Sequence, residues 1–301
     1  MFIKIANQKS NIDLSLKVNK GLVFAGAASG LSAFLYAMYV ERNWLEVSRH
    51  TVVVKGLPEA WRGYKIAWLS DLHLGYAGSA KPVTNAVERA IAERPDLILL
   101  GGDYMDKGRW KPICDQIFSR LGASGIPVVG VWGNHDYFGN RLDPKKNFKH
   151  LERHNIRILI NEAYCVERGG TRQYIIGLDD SVKGAPDLRG ARAQLPLEEK
   201  PLLVLSHNPN YIRKLPENFC ELALSGHTHG GQINPAPPPF HRTLNWIRFT
   251  PTAEHHSPYS HAWYEVNGNR LYIGKGVGVT RWALRFGARP ELPIFELQPA
   301  V

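Results

Sequence analysis

Five apolar runs in this chain break off into blocks that set Asp, Asn or His beside small residues. Leu97-Ile98-Leu99-Leu100 leads into Gly101-Gly102-Asp103, and Tyr64-Lys65-Ile66-Ala67-Trp68-Leu69 into Ser70-Asp71-Leu72-His73. Pro127 to Val131 precedes Gly133-Asn134-His135-Asp136, Leu202 to Leu205 precedes Ser206-His207-Asn208, and Leu222 to Leu224 precedes Gly226-His227-Thr228-His229. Short continuous apolar runs are expected of strands covered on both faces. Polar blocks at the C-terminal ends of such strands gather side chains from distant sequence into one pocket, which restricts the chain to an α/β architecture with its chemistry along one sheet edge.

Between the runs lie helical patterns. Pro82 to about Arg94 spaces Val83, Ala86, Val87, Ala90 and Ile91 for one buried face, and further helices are expected near Ile113 to Leu121 and Pro144 to His154. Three strand, polar loop, helix units in succession predict βαβ crossovers. Thr51 to Val54 reads as an additional strand ahead of them. The second half carries less helix: Ala163 to Glu167 and Tyr174 to Gly177 are strand candidates, and His261 to Val266 with Arg270 to Ile273 form a hairpin around Asn267-Gly268. Pro293 to Leu297 would close the sheet. The pattern fits a four-layer α/β/β/α sandwich of two mixed sheets flanked by helices.

The 301 residues suffice for one large domain with an N-terminal appendage. A formal net charge of +10 predicts an electropositive surface that concentrates anions, phosphate esters among them. The basic residues are spread along the chain without a recognised binding module, which argues against nucleic acid. Cys114, Cys165 and Cys220 contain no Cys-x-x-Cys pair, so neither a disulfide framework nor a thiolate zinc site is indicated.

From Gly21 to Val40 the chain has no charged residue, and a helix of that length spans about 30 Å, the thickness of a hydrocarbon core. No small-residue cleavage site separates Tyr39 from the polar Glu41-Arg42-Asn43, so an uncleaved anchor is expected. The organisation read from this is a basic tail over 1–20, a transmembrane anchor over 21–40, a linker over 41–50 and the catalytic domain over 51–301. Lys4, Lys9, Lys17 and Lys20 precede the span, and Arg42, Arg49 and Lys55 follow it. This small bias favours a cytosolic amino terminus.

A hydrolytic metal site needs anionic oxygen and neutral imidazole, and two neighbouring ions need a bridging carboxylate. Asp103, after its Gly-Gly, is the candidate bridge. Asp71 with His73 and His227 with His229 are i, i+2 pairs, which along extended backbone reach one face. Oxygen and histidine without cysteine suit Mn, Fe or Zn.

In order, Asp-x-His, Gly-Asp-x-x-Asp (Gly102 to Asp106), Gly-Asn-His-Asp, a single His and Gly-His-x-His resemble the calcineurin-like metallophosphoesterases over roughly residues 64 to 232. The resemblance implies two divalent ions, one held by Asp71, His73, Asp103 and His229, the other by Asp103, Asn134, His207 and His227. It implies that His135 sits by the scissile phosphate as general acid or transition-state stabiliser, that Asp136 orients its ring, and that Asp106 stands behind the ligands. The wording Asp71 to Gly75 and Gly226 to Gln232 is closest to bacterial membrane-associated members, which places the chain at the bacterial inner membrane through a single-pass anchor. His50, His150, His154, His241, His255, His256 and His261 belong to no block.

The resulting expectation is a phosphodiesterase acting at the membrane. An alternative within the resemblance is hydrolysis of the pyrophosphate of UDP-2,3-diacylglucosamine in lipid A synthesis, and a non-enzyme alternative is a metal-binding scaffold. Two stretches suggest an amphiphilic substrate such as a nucleotide-linked lipid: Pro235 to Pro239 followed by Phe240, Trp246, Ile247, Arg248 and Phe249, and Arg281-Trp282-Ala283-Leu284-Arg285-Phe286. Apolar rings interleaved with Arg suit a headgroup layer.

Overall fold

The computed structural model describes residues 20–105, 110–137, 145–234 and 259–300. Asp106 and the aromatic segment from Pro235 to Phe249 lie outside the described residues, as do His241, His255 and His256.

Two six-stranded mixed sheets face each other. The first has the order β1 (Glu46–Val54), β12 (Glu291–Pro299), β2 (Lys65–Leu69), β3 (Leu97–Leu100), β4 (Val128–Val131), β5 (Ile156–Leu159). Strands β2 to β5 run parallel, β12 is antiparallel to β2, and β1 pairs parallel with β12. In the second the order is β10 (Ala262–Val266), β11 (Asn269–Ile273), β9 (Leu222–Ser225), β8 (Leu203–Leu205), β7 (Thr171–Gly177), β6 (Glu162–Arg168). Here β7, β8, β9 and β11 are parallel, with an antiparallel partner at each edge.

Alternation along each strand builds the layers. In β3, Leu97 and Leu99 face the space between the sheets, whereas Ile98 and Leu100 face the helices α2 (Ala80–Ala92) and α3 (Pro112–Ala123). Likewise Leu203 and Leu205 of β8 meet Ile66, Trp68 and Val129 between the sheets, while Val204 turns outward to Ala191 of α6 (Leu188–Arg192). Burying each such side chain contributes about 1.5–3 kcal/mol, so a continuous apolar run is stable only where both faces are covered. The four-layer arrangement expected from the sequence is formed. Asn267 and Gly268 both have positive φ, 51° and 66°, as the two-residue hairpin turn requires.

Some boundaries differ from the sequence reading. Strand β1 begins at Glu46, inside the segment expected as linker, because residues 46–54 pair along the whole of β12. β5 is unforeseen: its Ile-Arg-Ile-Leu alternation is only four residues long and directly follows α5 (Lys145–Glu152). Over the expected anchor, α1 spans Lys20–Leu35, 16 residues, and passes into a π turn at Tyr36–Val40. Among the described residues no helix is long and apolar enough to cross a membrane. At its C-terminal end the helix packs on the domain: Ala37 is buried and its carbonyl accepts from Arg285 N at 3.1 Å.

Candidate metal centre

Each ligand candidate leaves the C-terminal end of a parallel strand: Asp71 and His73 after β2, Asp103 after β3, Asn134 after β4, His207 after β8, His227 and His229 after β9. The two sheets bring these ends together, Asp71 to His227 across 156 positions of sequence by His227 N donating to Asp71 Oδ1 at 3.0 Å. The i, i+2 pairs reach one point by a route other than extended backbone. Asp71, His73, Asp103, His227 and His229 all have φ between 43° and 69°. Non-glycine residues in this left-handed region are strained by about a kcal/mol or more and persist where the surroundings hold them. The glycines beside them follow from crowding: a Cβ on Gly133 would collide with the Asp103 carboxylate, and one on Gly226 with that of Asp71.

Among the described residues donor atoms gather in three groups, and Asp103 belongs to two of them, one being His73, Asp103 and His135. Ligand atoms of Asp71, His73 and His229 lie within 4.8 Å of one another, as do those of Asp103, His207 and His227. Within the first, the Nε2 atoms of His73 and His229 are 3.0 Å apart, and His229 Nε2 is 3.5 Å from Asp71 Oδ1. Asp103 Oδ2 stands 3.2 Å from His207 Nε2 and 3.6 Å from His73 Nε2, so one oxygen faces both clusters. Asn134 Oδ1 is 3.0 Å from His227 Nδ1. All seven residues are buried.

This donor set fits a pair of divalent cations. His227 Nε2 is buried without a hydrogen-bond partner, a condition normally avoided unless a ligand takes the lone pair. Burial pushes His73 and His227 down to about 3 and His229 well below its usual range, so these rings are neutral and able to ligate. Burial opposes charge on Asp103 and His207 as well, but each holds the other ionised: the carboxyl lies well below and the imidazole well above its ordinary value. Burial raises Asp71 to about 6 against the pull of His207. A cavity this rich in carboxylate and imidazole is short of positive charge, which His207 supplies by protonation and a metal would supply permanently.

His135 is the second residue of α4 (Asn134–Tyr137) and is partly exposed beside the cluster, its ring edge-on to His73 at 4.8 Å between centroids, while its backbone N–H donates to Asp103 Oδ1 at 2.7 Å. Asp136, expected to orient that ring, is turned to the main chain. Its oxygens accept from the backbone N–H of Asp103 and Tyr104 at 2.8 Å and Gly133 at 2.9 Å. Burial first, and the nearby Asp103 second, push its carboxyl up to about 8 against those donors. Asp136 therefore fixes the strained turn that presents Asp103.

Three residues near the centre escaped the sequence reading. Asp180 is fully buried, anchors its loop through Val182 N and Lys183 N, leaves Oδ2 without a partner, and its charge helps hold His207 protonated. Asp179 accepts from the Tyr137 hydroxyl. Both follow β7 in the same strand-then-polar pattern that marked the other blocks. Arg285 reaches His229, and its surroundings in sequence suggested a surface loop.

Beside this region, Ala33, Phe34, Ala37 and Met38 of the N-terminal helix and Ile233, Trp282, Leu284 and Phe286 line an apolar cleft of about 690 Å³.

Strand ends from two facing sheets that converge on clustered Asp and His define a metal-dependent hydrolase architecture. The calcineurin-like phosphoesterase profile matches residues 64–231, the span that contains all seven candidate ligands and His135. An uncharacterized metallophosphoesterase of Bacillus subtilis strain 168, YkuE, is 28% identical over 94% of this chain and 96% of its own length. A second from the same strain, YkoQ, is 31% identical over 88% of this chain and 94% of its own, and the phosphodiesterase YaeI of Escherichia coli K12 is 29% identical over 88% and 93%. The chain belongs to the calcineurin-like phosphoesterases, metal-dependent hydrolases of phosphoester bonds.

Proposed function

We propose that this protein is a dinuclear metallophosphodiesterase that works on substrate at a membrane surface, with Mn, Fe or Zn as its ions. The observation that carries the hydrolase reading is the position of Asp103 Oδ2 within reach of both imidazole clusters. Asp71, His73, Asp103 and His229 would hold one ion, and Asp103, Asn134, His207 and His227 the other. A bound divalent pair supplies Lewis acidity toward phosphoryl oxygens and lowers the pKa of water. The protein does the rest. Asp103 fixes the spacing of the two half-sites, Asp136 locks the turn behind it, and the partly exposed His135 stands where it can protonate the departing oxygen. Complete ligand retention disfavours a scaffold without turnover.

Two observations support the membrane reading and a location at the bacterial inner membrane. Seven of the twelve exposed large apolar side chains among the described residues, Phe24, Leu31, Phe34, Leu35, Tyr36, Tyr39 and Val40, lie on one short N-terminal stretch. The apolar cleft beside them is edged by the exposed Arg281, a combination suited to an amphiphile with an anionic headgroup. The cleft also favours a second reading, in which the scissile bond is the pyrophosphate of a nucleotide-linked lipid such as UDP-2,3-diacylglucosamine.

The test is turnover by the full chain, metal-loaded and chelator-stripped, on p-nitrophenyl phosphodiesters, the matching monoesters and UDP-2,3-diacylglucosamine. Metal-dependent diester cleavage with slow monoester cleavage is expected. Equal rates with and without metal would end the hydrolase reading, and dominance of the lipid substrate would move the assignment to the second one. Membrane flotation of the full chain, compared with Leu31→Ser and Phe34→Ser, checks the location separately.

A further inference from the structure

Arg285 is the only Lys or Arg that is buried among the described residues, and its relative exposure is 0%. A buried charge is costly unless it is fully hydrogen-bonded. Its partners here are backbone carbonyls: Nε and Nη2 donate to Gly278 O at 3.0 and 2.6 Å, and Nη1 donates to Lys275 O at 3.0 Å and Ala288 O at 2.9 Å. Nη2 also lies 3.4 Å from Nδ1 of His229. The planar fork thereby clamps the loop from Lys275 to Gly278 on one side and abuts a ligand ring on the other.

That loop has a specific task. Val277 N donates to Ser70 O at 3.0 Å and Gly278 N to Asp71 O at 2.8 Å, so the main chain that presents Asp71 is tied to it. A Cβ on Gly276 would collide with the Asp71 side chain, and one on Gly278 with the Leu72 carbonyl, which shows how closely the loop is pressed on this strand end. Asp71 and His229 thus share one organiser. Both belong to the same cluster, and none of the bonds made by the guanidinium goes to Asp103, Asn134, His207 or His227.

We propose that Arg285 is a positioning residue for one half of the centre: it templates the Asp71, His73, His229 half-site directly and reaches the other half only through the bond from His227 N to Asp71. This rests on the two-ion reading above. Loss of the fork releases the Lys275–Gly278 loop that is tied to Asp71 and removes the packing of the guanidinium against the His229 ring, so the ion on this side is weakened more than its neighbour. Lysine keeps the charge, but one ammonium cannot span three carbonyls and an imidazole edge.

The experiment is Mn²⁺ titration of the metal-stripped full chain, with stoichiometry from bound-metal analysis and electron paramagnetic resonance distinguishing coupled pairs from single ions. Wild type and Arg189→Met, at an exposed arginine of α6, should bind two ions with a coupled signal. R285M should bind one ion tightly, with the second weakened by about 10–100-fold and an uncoupled signal, as for other partners that orient metal ligands. R285K should fall between, and it carries the test alone if R285M does not fold by circular dichroism. Two tight, coupled ions in folded R285K and R285M would overturn the proposal, and so would equal weakening of both sites. A wild type that never takes up a second ion would instead remove the two-ion reading on which the proposal stands.

Discussion

The metal centre and the N-terminal helix are opposites in how they are held. At the centre every candidate ligand is buried, several have unfavourable backbone torsions, and Asp136 alone accepts three backbone N–H bonds of 2.8–2.9 Å to keep the Asp103 turn in place. The helix has ordinary torsions and leaves most of its side chains exposed from Phe24 to Tyr36. Its anchorage is local: Ala37 O accepts from Arg285 N, Arg42 donates to Ala283 O, and Glu41 accepts from Ala288 N at 2.9 Å. Strain concentrates at the buried, converging side chains, whereas the exposed apolar helix has no residue of positive φ.

The strongest way to break this contrast is Asp103→Asn. It removes the charge that faces both clusters, and turnover should fall by about 10³-fold or more with both ions lost, checked by steady-state rates and bound-metal analysis. If D103N kept two ions and near-normal rates, the centre would not be organised around that oxygen. Next comes His135→Ala, which should cost about 10²-fold in kcat while metal content stays at the wild-type level. A parallel loss of metal would make His135 a ligand instead.

The third effect is on stability. In the metal-free protein the His73 imidazole titrates at about 3, against about 6.5 when unfolded. Between those values the unfolded chain binds the proton and the folded chain does not, so His73 causes stability to fall as pH drops from about 6.5 toward 3. His73→Gln removes that contribution, and its loss of Tm between about pH 7 and pH 4 should be smaller than that of wild type by several degrees. An identical or steeper acid loss would show that the ring is not held neutral by burial. Smallest of all, Phe24→Ser and Leu31→Ser should leave metal content, turnover of soluble esters and stability within about 0.5 kcal/mol of wild type, measured by calorimetry. A large drop would mean the helix is part of the folded core after all.

Much of this arrangement is legible in the amino-acid sequence. The strand-then-polar blocks located Asp71, His73, Asp103, Asn134, His207, His227 and His229, because parallel strands of two facing sheets must end at a common edge. What the linear pattern lacks is the direction in which a side chain leaves the backbone. Asp136 sits one position from His135 and invites a role on its ring, yet the tight turn aims it at the Asp103 main chain. Arg285 was hidden among Trp282, Leu284 and Phe286, where alternating aromatic and basic residues resemble a headgroup-facing loop. Its burial depends on Lys275, Gly278 and Ala288 converging on it in space. Hydropathy likewise cannot register that Ala37, inside the expected anchor, packs onto the domain.

The left-handed torsions at five of the candidate ligands have a practical corollary for anyone wishing to transplant this chemistry. A scaffold selected for matching Cβ positions on ordinary strands would present the same side chains along the wrong vectors. The portable unit is therefore each strand end together with its adjoining glycine and hairpin-tight turn, and a successful graft has to copy main-chain conformation before it copies any donor atom.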